Sequence, residues 1–139
     1  MMSSEPAELR LPARLENLSR FLEFAVDQAR KLGLEERIPA LELGLEEALV
    51  NVIRYAAREG EEITLTAAAE KEGIGFTISD RGAPFNPLEA PPPDLESELL
   101  ERPIGGLGIH FMKELTDEIS WSRKGDRNRL RLFFRRRHD

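Results

Sequence analysis

Two alternating runs joined by a short turn constrain the fold of this chain more than any other part of its sequence. The runs are "EITLTAAAE" and "IGFTIS", and "KEG" separates them. In the second run, Ile74, Phe76 and Ile78 alternate with small or polar residues, which indicates a strand with one buried face. Because a hairpin cannot bury that face by itself, the sequence predicts a sheet covered by a second layer.

The covering layer is predicted from two helical patterns. Apolar residues recur at steps of three and four over residues 15–32 and indicate an amphipathic helix that ends near Gly33. A second pattern opens at Pro39, runs to about Glu59 and stops at Gly60. The weakly alternating "ELRLPA" before both helices is interpreted as a short first strand.

The C-terminal third predicts another helix and another hairpin. "IGGLGIHFMKELTD" has a helical pattern, and "EISWSR", a "KGDR" turn and "NRLRLFF" follow it, with Leu130, Leu132 and Phe134 on one face. The order of elements predicts an α+β fold, a two-layer sandwich of helices on a mostly antiparallel sheet. We expect residues 1–139 to form a single domain.

A proline-rich segment interrupts these elements at about residues 86–104. Its prolines flank or break the acidic piece "DLESELLER", which is too polar for a core. Long loops within compact domains are often functional, so this segment is interpreted as a surface lid.

Composition excludes several classes of function. The chain has no cysteine and a net charge of −6, and no apolar stretch approaches the length of a membrane span. We therefore expect a cytoplasmic protein without a thiolate metal site or direct contact with nucleic acid or membrane. The consecutive Arg135, Arg136 and Arg137 are expected to be a solvated strand end, or else a contact with an acidic partner.

The second helix carries a polar stripe. Glu47, Asn51 and Tyr55 are spaced by four residues, which is an offset of only ~40° around a helix. From the helix alone this stripe is expected to face water, because a separate apolar face is available for the sheet. A carboxylate and a carboxamide one turn apart also suit a hydrated Mg²⁺ ion.

The stretch "DRGAPFNP" follows the strand that ends at Asp80. A carboxylate there can accept a hydrogen bond from the exocyclic amine of an adenine, and Gly82 lets a ligand approach the backbone. Pro84 and Pro87 stiffen the segment. The alternative is an Asx-type turn that caps a hairpin or loop.

A third candidate is "GGLGI", which contains Gly105, Gly106 and Gly108. Each glycine would cost about 1 kcal/mol in a helix interior, so the N-terminus of a helix is the better position. Free N–H groups there favour a phosphate. The alternative is a tight loop packed against the sheet. No P-loop or complete G-x-G-x-x-G motif is present.

The order and spacing of these three segments resemble the ATPase fold shared by histidine kinases, DNA gyrase, a class of heat-shock chaperones and the MutL repair proteins, called the GHKL or Bergerat fold. Within that superfamily, "DRGAPFNP … GGLGIHFMKELTDEISW" is most similar to the bacterial anti-sigma factor serine/threonine kinases. The resemblance covers residues 9–135. Asn86 and Tyr55 depart from it, because the family often has aspartate and histidine at these positions.

The resemblance implies a role for each candidate residue. Asn51 would hold Mg²⁺ on the ATP phosphates, and Glu47 would be the general base for a substrate hydroxyl. Asp80 would bind the adenine amine, and Gly82 would keep the floor of the pocket low. Arg102 would approach the terminal phosphate or the partner. The glycines that would meet the phosphates are Gly105, Gly106 and Gly108.

The function implied by the resemblance is that of an ATP- and Mg²⁺-dependent kinase. It would phosphorylate a serine or threonine of an anti-anti-sigma antagonist, sequester a sigma factor and form a homodimer. Two alternatives remain: a non-catalytic partner-switching module with the same fold, and a detached histidine-kinase catalytic domain that needs a separate phosphoacceptor.

Overall fold

A computed structural model of the chain describes residues 5–58, 60–89 and 112–137. These residues form one five-stranded sheet in the order β1-β2-β3-β5-β4, with every neighbouring pair antiparallel. The strands are β1 (Ala7–Pro12), β2 (Glu62–Glu70), β3 (Gly73–Asp80), β4 (Glu118–Lys124) and β5 (Arg127–Arg135). The weak first strand and both hairpins predicted from the sequence are therefore confirmed.

Two helices precede β2. They are α1 (Leu18–Lys31) and α2 (Ile38–Asn51), and the short 3₁₀ turns Leu15–Asn17 and Glu35–Arg37 lead into them. Residues 112–115 are also helical, which agrees with the end of the third predicted helix. None of the helices in the described part of the chain is long and apolar enough to cross a membrane.

The second helical pattern does not run to residue 59 as a regular α-helix. After Asn51 it continues as a π-helical turn, Val52–Ala56, where the N–H of Ala57 donates to the carbonyl of Val52 at 2.8 Å. A π-turn holds more residues than an α-turn, and such turns are frequent at functional sites. The four-residue spacing used to align Tyr55 with Asn51 is therefore wrong beyond Asn51.

The core lies between the helices and one face of the sheet. Phe76 of β3 and Phe134 of β5 meet edge to face there, with ring centroids 6.1 Å apart. Burial of each large apolar side chain stabilises the fold by roughly 1.5–3 kcal/mol. Other fully buried side chains include Phe21, Leu41, Leu45, Leu49, Ile63, Leu65, Ile74, Ile78 and Leu132. The predicted two-layer α+β sandwich is confirmed.

The opposite face of the sheet is polar and partly charged. Arg131 of β5 contacts both carboxylate oxygens of Glu70 at 2.7 Å. The guanidinium groups of Arg131 and Arg135 each lie 5.5 Å from the ring centroid of Phe133. Both guanidinium groups lie within the range in which an aromatic ring attracts a cation. The charged side chains make this face of the sheet suited to contact with water or with a polar surface.

The edge strand β4 carries Trp121, the single tryptophan of the sequence. Its side chain packs against the core, and its buried indole nitrogen has no hydrogen-bond partner among the described residues. β4 also contacts the short 3₁₀ turn Pro87–Glu89. This indole therefore lies on the strand that packs against the beginning of the proline-rich segment.

The consecutive arginines lie at the end of β5, where Arg135 and Arg137 are exposed and all three make contacts within the chain. Arg136 donates to the carbonyls of Leu32 at 2.9 Å and Gly33 at 3.3 Å, and so caps the C-terminus of α1. Arg137 contacts Asp117 at 3.3 Å through its guanidinium and Glu36 through its backbone N–H. The predicted solvated strand end therefore agrees with the exposure of Arg135 and Arg137, and the ion pairs of these two arginines lie within the chain.

Candidate functional site

Asp80 is the last residue of β3, as predicted, and it lies on the buried face of the sheet. Its side chain is only 1% exposed because it continues the inward alternation of Phe76 and Ile78. Two hydrogen bonds hold the carboxylate, one from the N–H of Gly82 at 2.7 Å and one from the amide of Asn128 at 3.1 Å. Both end on Oδ1, and the described residues donate nothing to Oδ2.

The Asx-type turn and a ligand-binding carboxylate are therefore compatible. The bond from Gly82 to Asp80 is the Asx turn that was considered as the alternative. Because the turn and Asn128 both use Oδ1, Oδ2 remains able to accept a hydrogen bond from a ligand.

The environment of Asp80 opposes its ionisation. Burial raises the pKa of its carboxyl above the ordinary value, and Glu61 acts in the same direction. The hydrogen bonds from Asn128 and Gly82 and the charge of Arg123 lower the pKa and partly compensate.

Gly82 is required by the close approach of two backbone segments. A Cβ atom built on this residue would lie 1.7 Å from the carbonyl oxygen of Ala56, at the end of the π-helical turn. Its backbone does not have a positive φ, so the requirement is for space and not for an unusual conformation. Arg123 of β4 also donates to the carbonyl of Gly82 at 2.7 Å. The turn after Asp80 is thus packed against the helix that carries Asn51.

Asn128 is a site residue that the sequence analysis missed. It pairs with Asp80 across β3 and β5 and is 3% exposed. Its amide donates to Asp80 and to the carbonyl of Ala83, and its oxygen accepts from the N–H of Phe85. The signal was present in the sequence, because the alternation that directs Leu130 inward also directs Asn128 inward.

The departure at Asn86 preserves the local structure. Its side-chain oxygen accepts a hydrogen bond from the N–H of Leu88 at 2.9 Å and so begins the 3₁₀ turn Pro87–Glu89. An aspartate could make the same bond.

The other departure, Tyr55, is 46% exposed and lies against Phe85, with ring centroids 6.0 Å apart.

The polar stripe on α2 does not simply face water. Asn51 is 1% exposed, and its amide donates to the carbonyl of Glu47 at 2.7 Å. The expectation of a solvated stripe was wrong for Asn51 because it lies between the buried Ala48 and Val52 on the inner side of the helix. Glu47 is partly buried, and burial, followed by repulsion from Glu46, raises its pKa.

The remaining predicted residues cannot be placed. Arg102, Gly105, Gly106 and Gly108 lie outside the described residues, as does most of the proline-rich segment. In the described ranges, no group of three or more His, Cys, Asp or Glu side chains could hold a metal ion. Of the predicted site, the structure therefore places Glu47, Asn51, Asp80 and Gly82, with the last two linked directly to each other.

Comparisons with known proteins identify the family of the domain. The family model described as a histidine kinase-like ATPase domain matches residues 11–134. The serine/threonine-protein kinase BtrW of Bordetella bronchiseptica is 31% identical over 94 residues, which are 66% of this chain and 66% of that protein. The match thus spans just under two thirds of the relative.

Two solved structures share the fold. The RsbU and RsbW domains of Rv1364c from Mycobacterium tuberculosis match 94% of this chain and 32% of that chain, with a TM-score of 0.65 and 15% identity. The histidine kinase AdeS of Acinetobacter baumannii matches 95% of this chain and 68% of that chain, with a TM-score of 0.50 and 13% identity. At these identities the similarity concerns the fold.

Proposed function

The chain belongs to the histidine kinase-like ATPase domain family, and on that premise we propose that it is an ATP- and Mg²⁺-dependent protein kinase. Its substrate would be a serine or threonine hydroxyl of an antagonist protein. The observation that carries the proposal is the buried carboxylate of Asp80, whose Oδ2 has no donor among the described residues.

The base-binding end of the site is built by this carboxylate and its turn. Asp80 would accept a hydrogen bond from the exocyclic amine of adenine, since an ionised carboxylate can only accept. Gly82 holds the turn against Ala56, which keeps the carboxylate and α2 close together. These contacts exist in the protein without ligand, and they support adenine binding because the acceptor is already oriented.

The phosphate end would be served by α2 and by the segment that contains Arg102, Gly105, Gly106 and Gly108. Asn51 would offer its side-chain oxygen to Mg²⁺, which takes one or two protein ligands and completes its shell with phosphate and water. ATP, when bound, supplies the phosphoryl group. Its transfer depends mainly on positioning and charge neutralisation, which are the roles proposed for these residues.

Glu47 would act as the general base. It lies on α2 one turn before Asn51, and its partial burial raises its pKa. A higher pKa makes a carboxylate a better proton acceptor while it remains ionised. Glu47 would therefore take the proton from the attacking hydroxyl of the protein substrate.

The proposed partners follow from the relatives. One is named a serine/threonine-protein kinase, and a fold relative is named as an RsbW domain. We place this chain in the same class, with an anti-anti-sigma antagonist as its substrate and a sigma factor as the protein that it sequesters. A homodimer in the cytoplasm is part of the same proposal.

The decisive experiment measures phosphate transfer from γ-labelled ATP to a purified antagonist, with the wild type and with E47Q. We expect E47Q to bind ATP within about twofold of the wild type and to transfer phosphate at least about 100-fold more slowly. E42Q is the matched control, because Glu42 carries the same charge on the same helix but is exposed and lies about 140° away around it.

Equal transfer rates in E47Q and the wild type would exclude Glu47 as the base. ATP binding without transfer in the wild type, with function unchanged in E47Q, would support the partner-switching module instead. Transfer to a histidine of a separate domain would identify a histidine-kinase catalytic domain.

A further inference from the structure

We propose that Asn128 is a positioning residue that selects adenine over guanine, because it determines which oxygen of Asp80 faces the base. This inference rests on the proposed nucleotide function and assigns to it a residue that does not itself touch the ligand.

The orientation of the Asn128 side chain is fixed by three partners. Its amide nitrogen donates to Asp80 at 3.1 Å and to the carbonyl of Ala83 at 2.8 Å. Its oxygen accepts from the N–H of Phe85 at 3.1 Å. Rotation of the carboxamide by 180° would place its oxygen against two acceptors and its N–H groups against a donor, so only one orientation satisfies all three contacts.

This orientation of Asn128 determines which oxygen of the Asp80 carboxylate is left to bind a ligand. Asn128 and the N–H of Gly82 both donate to Oδ1, which holds the carboxylate in one rotamer and directs Oδ2 away from them. Oδ2 therefore presents an acceptor. Adenine carries an amine donor at C6, whereas guanine carries a carbonyl acceptor at that position, so a fixed acceptor favours adenine and repels guanine.

The charges around Asp80 make this selection sensitive to pH. Arg123 of β4 favours the ionised form, and Glu61, which precedes β2, disfavours it. Burial raises the pKa of Asp80, and the Asn128 bond opposes that rise. A protonated carboxyl at this place could donate to the guanine carbonyl, so protonation should weaken the preference for adenine.

The test compares ATP and GTP binding by calorimetry at several pH values for the wild type and N128A. We expect N128A to lose at least about tenfold in ATP affinity while GTP affinity falls less or rises, because a hydrogen bond to a charged group is removed. We also expect the preference for ATP over GTP to weaken as the pH falls. In N128A this weakening should begin at a higher pH, because the hydrogen bond that lowers the pKa of Asp80 is missing.

A second variant and a control accompany N128A. N128D keeps the volume and the acceptor for Phe85 but places a second carboxyl against Asp80, which favours protonation of the pair, so it should lose the preference for ATP at least as strongly. R129Q alters the next residue of β5, which points to the opposite face of the sheet and makes no hydrogen bond to Asp80, and it should bind like the wild type.

One measurement needs only the wild type. The side-chain amide signals of Asn128 in a ¹⁵N NMR spectrum should shift when ATP is added, and shift less with GTP at the same concentration. Unchanged signals at saturating ATP would overturn the inference even if neither variant folds.

The outcomes separate the two proposals. Absence of ATP binding in the wild type overturns the nucleotide function and this inference together. ATP binding in the wild type, with an equal loss of ATP and GTP affinity in N128A and no change in the pH profile, overturns the inference alone and leaves Asn128 a purely structural residue.

Discussion

Asp80 and Asn51 are equally buried, at 1% exposure each, but they are held in different ways. Asp80 receives hydrogen bonds from the turn that follows it and from Asn128, 48 residues further along the chain. Asn51 donates to the carbonyl of Glu47, four residues earlier in its own helix. The oxygen of Asn51 accepts no hydrogen bond from the part of the chain that the structure describes.

This difference indicates that the proposed site is more preorganised at Asp80 than at Asn51. The carboxylate of Asp80 is fixed by sheet register, so a base would meet an acceptor that is already oriented, and little further ordering is required. The amide of Asn51 depends on one local bond, which leaves its oxygen available to a ligand. We expect the base-binding end to tolerate less change than the metal-binding end.

G82A should have the largest effect, because it acts on both ends. A Cβ at this position would collide with the carbonyl of Ala56, so the turn and the π-helical segment must separate. We expect a loss of about 3 kcal/mol in the free energy of unfolding, measured by denaturant titration, and no measurable ATP binding.

G44A is the matched control for this glycine. A Cβ on Gly44 of α2 would make ordinary contacts, the nearest at 3.4 Å from the ring of Phe134. It should leave ATP binding intact and stabilise the helix by up to about 1 kcal/mol. Wild-type stability in G82A would show that the turn does not need its contact with Ala56.

D80N should remove base recognition without unfolding the protein. The side-chain oxygen of asparagine can still accept from Gly82 and Asn128, while its amide would point a donor at the adenine amine. We expect ATP affinity to fall by about 10- to 100-fold in calorimetry, with the melting temperature retained. S79A, which changes the neighbouring residue on the other face of β3, should bind ATP normally.

N51A should have a smaller effect that depends on the metal. The variant loses one hydrogen bond within its helix and a proposed Mg²⁺ ligand. We expect ATP affinity to fall by about tenfold in the presence of Mg²⁺ and to change by less than about twofold in EDTA. An equal loss in both conditions would mean that Asn51 supports the pocket and does not bind the metal.

The smallest expected effect concerns how the free energy of unfolding depends on pH when no nucleotide is bound. Because the pKa of Asp80 is raised in the folded protein, the native state holds its proton more tightly than the unfolded chain does. The stability contributed by this proton is complete below the ordinary pKa of 3.8 and is lost as the pH rises through the raised pKa. In urea titrations at several pH values, the wild type should lose this part of its free energy of unfolding as the pH rises, and D80N should not.

Much of the fold could be predicted because each element has a local signal. Alternation located the strands, and the inward direction of Leu130, Leu132 and Phe134 was correct. The resemblance drawn from the three motifs agrees with the family match. The π-helical turn was not predicted, since nothing in "VIRYA" distinguishes it from a continued α-helix.

The candidate site was harder to predict where its contacts are distant in sequence. Asp80 was located correctly at the end of its strand, but its partner Asn128 depends on the register between β3 and β5. Gly82 was attributed to ligand approach, whereas the described contact is with Ala56. Such contacts join segments that no local pattern connects. The roles of the site residues remain predictions.

The position of Trp121 has a practical consequence. Its indole is the single tryptophan fluorophore of the chain, and it lies on the strand that contacts Pro87–Glu89. Emission excited at the red edge of the absorption band would therefore report on one identified side chain, without an attached dye. The protein carries its own optical probe close to the segment where the turn after Asp80 leads into the proline-rich region.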